Sequence, residues 1–309
     1  MPKVITVFGA TGGQGGGVVS ALLKAIERGE DYAVRAVTRS PDGPKGQDLK
    51  SKGCEVVKCD MDDKESVEHA VSGSYGVFLV TNYWEHFSKE KEIDQGKRVV
   101  DVCEELGVKH LIYSGLENVK KSIGIDCGHF DSKGIVEEYL HTKKLKERLP
   151  FTIIRFSFYF NNLPTMMKPR KTAENTFVYD IPMLDVPMDG IDVKQGGECV
   201  YGILENPDAY RYKTIGVSGD KITIQQYCDI LSKHLSPKKF EDSKITLDVY
   251  RGLGFPGAVE IGNMFEFYVR GKPDRDRTAT KKLNPEIQRF DVWVKENKEM
   301  LEEAYSKIE

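Results

Sequence analysis

No apolar run in the 309 residues approaches the roughly 20 needed to cross a bilayer, so no membrane span and no membrane partner are expected. The charged, glycine-punctuated start is unlike a secretory signal. Charge of one sign is not in surplus either. Lys and Arg number 45 against 48 Asp and Glu, a formal net charge of −3. That gives no field to draw nucleic acid or anionic lipid non-specifically, and no direct nucleic-acid partner is expected. The six cysteines (Cys54, Cys59, Cys103, Cys127, Cys199 and Cys228) include no CxxC pair. Their scatter argues against a zinc site, predicts no metal centre, and suits reduced thiols in the cytosol, with the nucleus as a second compartment. Repeats and low-complexity tracts are also missing. What remains, 39% hydrophobic and 30% charged, is the balance of a soluble globular chain. Its length suits one large domain, or a main domain with a smaller cap.

The most informative stretch is the first. Lys3-Val4-Ile5-Thr6-Val7-Phe8 reads as a buried parallel strand, and Val18 to Ile26 has apolar residues at helical spacing. Between them runs Gly9-Ala10-Thr11-Gly12-Gly13-Gln14-Gly15, with a glycine at every third position. Strand, glycine turn and helix form the phosphate-binding opening of a dinucleotide-binding βαβ unit. Gly9 permits the tight turn, Gly12 the approach of a pyrophosphate, and Gly15 the packing of helix on strand. Further strands are expected at Tyr32–Arg39, Glu55–Asp60, Gly76–Thr81, His110–Ser114 and Phe151–Phe156. Helical patterns lie at Ser66–Val71, Lys89–Leu106 and Ser132–Arg148. This alternation predicts an α/β fold, a Rossmann-type doubly wound parallel sheet, with ligands bound beyond the carboxyl ends of its strands.

Those ends carry the specificity. Sites for an unphosphorylated ribose place Asp or Glu after the second strand. Here Thr38-Arg39-Ser40-Pro41 stands there instead. The Arg39 guanidinium suits a 2′-phosphate, which predicts NADP(H) in preference to NAD(H), unless Arg39 is an ordinary surface arginine. Asp60-Met61 is placed to meet adenine, although Asp60 would equally cap the following helix. Thr81-Asn82-Tyr83-Trp84 suits the adenosine and inner ribose, or is a plain turn. From about Leu163 prolines cluster and the alternation stops, which divides the chain into residues 1–162 and a smaller α+β lobe, 163–309, with some segments returning to the main domain. Val193–Leu204 reads as such a returning helix, Thr214–Val217 as a last strand, and Thr223-Ile224-Gln225-Gln226 as a capping box. Phe255, Met264, Phe265, Phe267 and Tyr268 form either the lobe's core or the lining of an apolar cleft or partner surface. The tail, Val292–Ile308, reads as a polar helix packed on the surface. The segments Ser40–Lys52 and Ile123–Phe130 read as mobile loops.

The glycine turn, Thr38-Arg39-Ser40-Pro41, Val80-Thr81-Asn82-Tyr83-Trp84, Tyr113-Ser114-Gly115-Leu116-Glu117-Asn118, His129-Phe130-Asp131-Ser132-Lys133 and Asp185-Val186-Pro187-Met188-Asp189-Gly190 together resemble the NmrA-like family, atypical short-chain dehydrogenase/reductases. The resemblance extends through Gly254–Ala258 and Asn263–Phe265, and is strongest to the family's animal, NADP(H)-binding redox sensors. It implies that Ser114 and Lys133 stand at the serine and lysine positions of a catalytic short-chain reductase. His129 stands where the proton-donating Tyr belongs, four residues before Lys133. That exchange implies lost dehydrogenase activity, so no catalytic residue is assigned beyond the candidates Lys133, His129 and Ser114. The resemblance also implies that Tyr159-Phe160-Asn161-Asn162 closes over the nicotinamide. Asp94 departs from the lysine that relatives carry in their corresponding helix. The expected function is an NADP(H)-binding redox sensor that signals nucleotide occupancy to protein partners, a homodimer being one arrangement this allows. The alternative is an NADPH-dependent reductase of a small aromatic or enone-like substrate, using Lys133 with His129.

Overall fold

Val4-Ile5-Thr6-Val7 is β-branched throughout, and it forms an inner strand of the main sheet. In the computed structural model, which describes residues 1–271 and 273–308, β1 (Lys3–Val7) pairs in parallel with β2 (Tyr32–Thr38) on one side and β4 (Gly76–Leu79) on the other. Lys272 and Glu309, within the expected lobe, lie outside the described residues, as do the side chains of Lys143 and Lys144 in the expected helix Ser132–Arg148. The sheet has seven strands, in the order Thr214–Val217, β6 (Phe151–Phe156), β5 (His110–Ser114), β4, β1, β2, β3 (Glu55–Lys58), and every pairing is parallel. Strand order reverses between β1 and β4, which opens a crevice above their carboxyl ends. β3 and β4 are each two residues shorter than expected, so Cys59, Asp60, Val80 and Thr81 leave the ladder and face that crevice.

Both faces of the sheet are covered. On one lie α1 (Gly13–Glu27), α2 (Pro44–Ser51) and the returning helix Val193–Glu205; on the other lie α3 (Lys64–Val71), α4 (Lys89–Glu105) and, after the short α5 (Val119–Ile123), α6 (Gly128–Leu140). The helix Val193–Glu205 meets α1 at backbone contact: a Cβ at Gly197 would lie 2.1 Å from the Gly17 carbonyl carbon. The returning helix, the strand Thr214–Val217 and the helix Arg277–Leu283 therefore belong to the main layer, although they follow residue 163.

The smaller lobe holds two three-stranded sheets, Asp220–Ile222 with Met188–Ile191 and Phe158–Tyr159, and Lys239–Asp242 with Thr176–Tyr179 and Arg170–Ala173. The Thr223 capping box opens the helix Ile224–His234 as expected. Three expectations are corrected. The helix expected over Ser132–Arg148 starts at Gly128, ends at Leu140, and resumes only at Lys143–Arg148. The expected loop Ser40–Lys52 contains α2, which starts on Pro44, whose missing N–H costs nothing at a first helical position. The tail, expected as one helix packed on the surface, forms two, Phe290–Glu296 and Lys298–Ser306, each with one face exposed and one face packed into the lobe. Its few apolar residues are large: Phe290, Trp293, Leu301 and Tyr305 are buried in the lobe's core, where the Tyr305 and Tyr179 hydroxyls meet at 2.6 Å.

One buried group sets a pH limit on this fold. His110 in β5 is 1% exposed, and its Nε2 lies 2.8 Å from Thr152 Oγ1. Thr152 spends its only hydroxyl proton on the Tyr210 carbonyl, so Nε2 donates and Nδ1 carries the lone pair, without a partner among the described residues. Burial, helped by Arg211, pushes the imidazole down from its ordinary 6.5 to about 4. A group depressed in the folded state contributes stability above its unfolded pKa and loses it as pH falls through the folded one. Urea denaturation should therefore show stability declining between about pH 6.5 and 4, with about 3 kcal/mol attributable to His110. His110→Gln, which keeps a donor for Thr152, should flatten that part of the profile; an unchanged slope would contradict the assignment.

Candidate dinucleotide site

The chain leaves β1 through Gly9, whose φ of +67° is available to glycine at no steric cost. The Gly12 N–H donates back to the Gly9 carbonyl at 2.9 Å, and α1 begins at Gly13. Its N-cap, Gly12, has no side chain to cap with, and no acidic residue stands in the first turn. The opening N–H groups and the positive end of the helix dipole are thus left for an anion. At Gly15 a Cβ would lie 2.3 Å from the Gly9 carbonyl oxygen, so this turn closes only on glycine.

Over the strand tips lies a cleft of about 1160 Å³, walled by this turn, by Thr38–Ser40, Asp60–Asp62 and Val80–Glu85, and by His129, Lys133 and Phe156–Tyr159. Its length and its uncapped helix end fit an extended ligand with a phosphate near α1. At one lip Arg39 forms an ion pair with Glu85. Lys45, at the start of α2, donates to the Thr11 carbonyl at 3.1 Å and adds a second cation beside the turn.

Further along, Lys133 on α6 reaches across to α4 and the end of β4. Its ammonium donates to the Thr81 carbonyl at 3.0 Å, to Thr81 Oγ1 at 2.9 Å, and to Glu92. Glu92 is 0% exposed and also accepts from Ser132. Burial drives the Glu92 carboxyl upward, but the Lys133 charge and the hydrogen bonds outweigh it and hold the group below the usual carboxylate range. One turn earlier, His129 places Nδ1 at 2.5 Å from a Glu260 oxygen that also accepts the His129 backbone N–H at 2.9 Å. Burial raises the Glu260 carboxyl, yet these bonds keep it below its ordinary value. Cys127 Sγ lies 3.7 Å from the same Nδ1, and the three side chains together are a grouping that a metal ion could use. Burial pushes the Cys127 thiol far up, away from the thiolate a metal needs.

The NmrA-like family profile matches residues 1–303. The chain belongs to the NmrA-like family. It is 33% identical over 248 residues to an NmrA-like family domain-containing protein of Dictyostelium discoideum, covering 77% of this chain and 79% of that one. It is 32% identical over 240 residues to an NmrA-like family domain-containing oxidoreductase of Malbranchea aurantiaca, covering 72% and 70%. Among solved structures it resembles NmrA, a negative transcriptional regulator, in complex with NADP (TM-score 0.80, 18% identity, 98% of each chain covered). It likewise resembles the same regulator's NAD complex (TM-score 0.82, 18% identity, 99% and 98% covered).

In this NmrA-like chain most of the expected residues converge. Gly9, Thr11, Gly12, Gly13, Gln14, Gly15, Arg39, Asp60, Met61, Thr81, Asn82, Tyr83, His129, Lys133, Tyr159, Asn161 and Asn162 line one cleft. Ala10, Phe160 and Ser114 do not. Ala10 packs beneath the turn, and Phe160 turns into the lobe's core against Phe290. Ser114, 2% exposed, donates to Gln14 Oε1 at 2.6 Å, and Gln14 Nε2 donates to the Tyr159 hydroxyl at 2.5 Å. It braces the glycine turn from behind. Asn161 also has work elsewhere, since its Oδ1 accepts the Val193 N–H at 3.0 Å. Asp63, not Asp60, caps α3, while Asp60 accepts from the Asp62 N–H at 2.9 Å. The aromatic cluster divides: Phe265 and Phe267 are core, Met264 and Tyr268 line the cleft, and Phe255 is exposed. Unforeseen were Glu92, Glu260, Glu85 and Lys45. No helix among the described residues is long and apolar enough to cross a membrane.

Proposed function

We propose that this chain is an NADP(H)-binding regulatory protein of the cytoplasm and nucleus that signals nucleotide occupancy to protein partners and has no dehydrogenase activity. The observation that carries this reading is the state of the two groups a short-chain reductase would use. The proton-donating position holds His129, whose Nδ1 is engaged by Glu260, and the Lys133 charge is matched by a fully buried Glu92. The rest of a cofactor site is present. Gly9 to Gly15 and the N-terminus of α1 would hold the pyrophosphate, Arg39 and Lys45 the 2′-phosphate, and Asp60, Met61, Thr81, Asn82 and Tyr83 the adenosine and inner ribose. Lys133, Tyr159 and Asn162, which line the same cleft, would stand at the nicotinamide end. The cofactor supplies a hydride-carrying ring whose oxidation state the protein would read. NmrA, a regulator solved with both NADP and NAD, supports the regulatory role. A partner surface is supported by exposed Phe87, Leu253, Phe255 and Val259, on segments that flank Trp84 at the cleft mouth. A second copy of the chain is one such partner.

Titration with NADPH and NADH, followed by nucleotide fluorescence, tests the cofactor. The protein should prefer NADPH, and Arg39→Glu should erase that preference by weakening NADPH about 100-fold while leaving NADH within a few-fold. Equal selectivity before and after the substitution would sink the Arg39 assignment. A reductase remains the second reading, because the cleft continues past His129 to Leu116, Met167, Ile261, Met264 and Tyr268, an apolar wall suited to a small aromatic or enone-like substrate. The oxidoreductase of Malbranchea aurantiaca supports it. Steady-state NADPH oxidation against quinones, enones and aldehydes separates the two, and sustained turnover would overturn the regulatory reading.

A further inference from the structure

The Arg39–Glu85 pair has an unusual position. Arg39 follows β2 and Glu85 lies beyond β4, strands that flank β1, and both line the cleft, so the pair ties together segments from either side of β1. Both partners are solvated, with side chains 64% and 39% exposed, so their attraction is weak. A 2′-phosphate brings nearly two negative charges and three acceptor oxygens to the same guanidinium. A ribose 2′-hydroxyl offers no comparable competitor. Lys91, another cation near Glu85, is already paired with Asp62 at 2.7 Å.

Glu85 also ends a short helical turn, Tyr83–Glu85, followed by Phe87 at a φ of +52°, a conformation that disfavours a bulky side chain. Within that turn the Trp84 ring lies 4.8 Å from the His129 ring and within 3.6 Å of a Cβ built on Gly257, at the start of the helix Ala258–Arg270. One indole thus touches both the turn that carries Glu85 and the start of a helix in the smaller lobe.

Resting on the NADP(H) reading above, we propose that Glu85 is the resident counter-ion of Arg39 and sets the discrimination between phosphorylated and unphosphorylated dinucleotides. The 2′-phosphate takes the guanidinium, Glu85 is released, and the Tyr83–Phe87 turn and Trp84 move. A dinucleotide lacking that phosphate leaves the pair closed.

The test uses the oxidised forms, NADP⁺ and NAD⁺, which do not absorb tryptophan emission, with affinities from calorimetry. Glu85→Gln, at an exposed position, should tighten NADP⁺ about three- to tenfold and leave NAD⁺ within about twofold. In the wild type NADP⁺ should change the Trp emission and saturating NAD⁺ should not. Trp84→Phe should remove the NADP⁺ emission change, its affinity being measured separately by calorimetry. Unchanged selectivity in Glu85→Gln, or identical emission changes with both dinucleotides, would overturn the counter-ion role. If the wild type binds neither at millimolar concentration, the cofactor reading falls as well; tight NADP⁺ binding with an indifferent Glu85→Gln removes only this inference.

Discussion

Replacing Lys133 by Met is expected to destabilise the fold by about 3–5 kcal/mol, far more than the loss of a ribose contact would suggest. The ammonium is the only cation bonded to Glu92 among the described residues, and the carboxylate is fully buried. Removing one member of such a pair leaves an uncompensated charge away from water. Replacing both with apolar groups need cost little. Lys133→Met with Glu92→Leu should therefore recover most of the loss. The pH dependence supplies an independent check. In Lys133→Met the Glu92 carboxyl loses the charge that now holds its pKa down, so burial pushes it above the unfolded value of 4.5. A raised acid contributes stability below the unfolded pKa and loses it as pH rises through the folded one. The single variant should accordingly be weaker at pH 8 than at pH 5 in urea denaturation. A uniform small loss at both would show that the pair is already solvated. The same result bears on function: abolished turnover in Lys133→Met means nothing chemically unless the doubly substituted protein, with restored stability, is also inactive.

Gly15→Ala should be the most damaging single methyl in the glycine turn. Its Cβ would lie 2.3 Å from the Gly9 carbonyl oxygen, 2.4 Å from the Gly9 carbonyl carbon and 2.7 Å from the Phe8 carbonyl oxygen, all backbone atoms that cannot rotate aside. Either α1 moves off β1 or the turn opens. Both outcomes dismantle the anion seat. The expected result is a loss of at least about 100-fold in NADPH affinity together with about 3 kcal/mol of stability or more. Gly12→Ala offers a graded comparison. Its Cβ meets only the Gly9 oxygen, at 3.3 Å, so that variant should keep most of its stability and lose affinity through obstruction of the ligand. Equal melting temperatures for Gly15→Ala and the wild type would contradict the role of Gly15 in helix packing.

How much of this was legible in the sequence depended on the range of the interactions. β5, β6 and the strand Thr214–Val217 fall where their apolar runs place them, because a strand covered on both faces advertises itself locally. The glycine turn was equally plain, since its geometry is set by residues a few positions apart. The partners of Lys133 and His129 were not. Glu92 lies 41 residues from Lys133, inside the run Lys89-Glu90-Lys91-Glu92, which reads as a solvated helix face. Glu260 lies 131 residues from His129 and belongs to the other lobe. Neither pairing leaves a periodic trace. The tail's thin apolar stripe anchors it more firmly than its count suggests: hydrophobic pattern counts residues, and burial depends on their size. Trp293 and Tyr305 each fill what several small side chains would.

The crossing of Gly17 on Gly197 has a practical corollary for anyone dissecting the molecule. Because the helix Val193–Glu205 and the strand Thr214–Val217 come back to seal the larger half, severing the peptide bond after Asn162 does not release two self-sufficient pieces. The N-terminal fragment would present the bare flank of β6 and a stripped face of α1, an adhesive edge prone to self-association. Recombinant work on the nucleotide-binding half is best done with the intact chain.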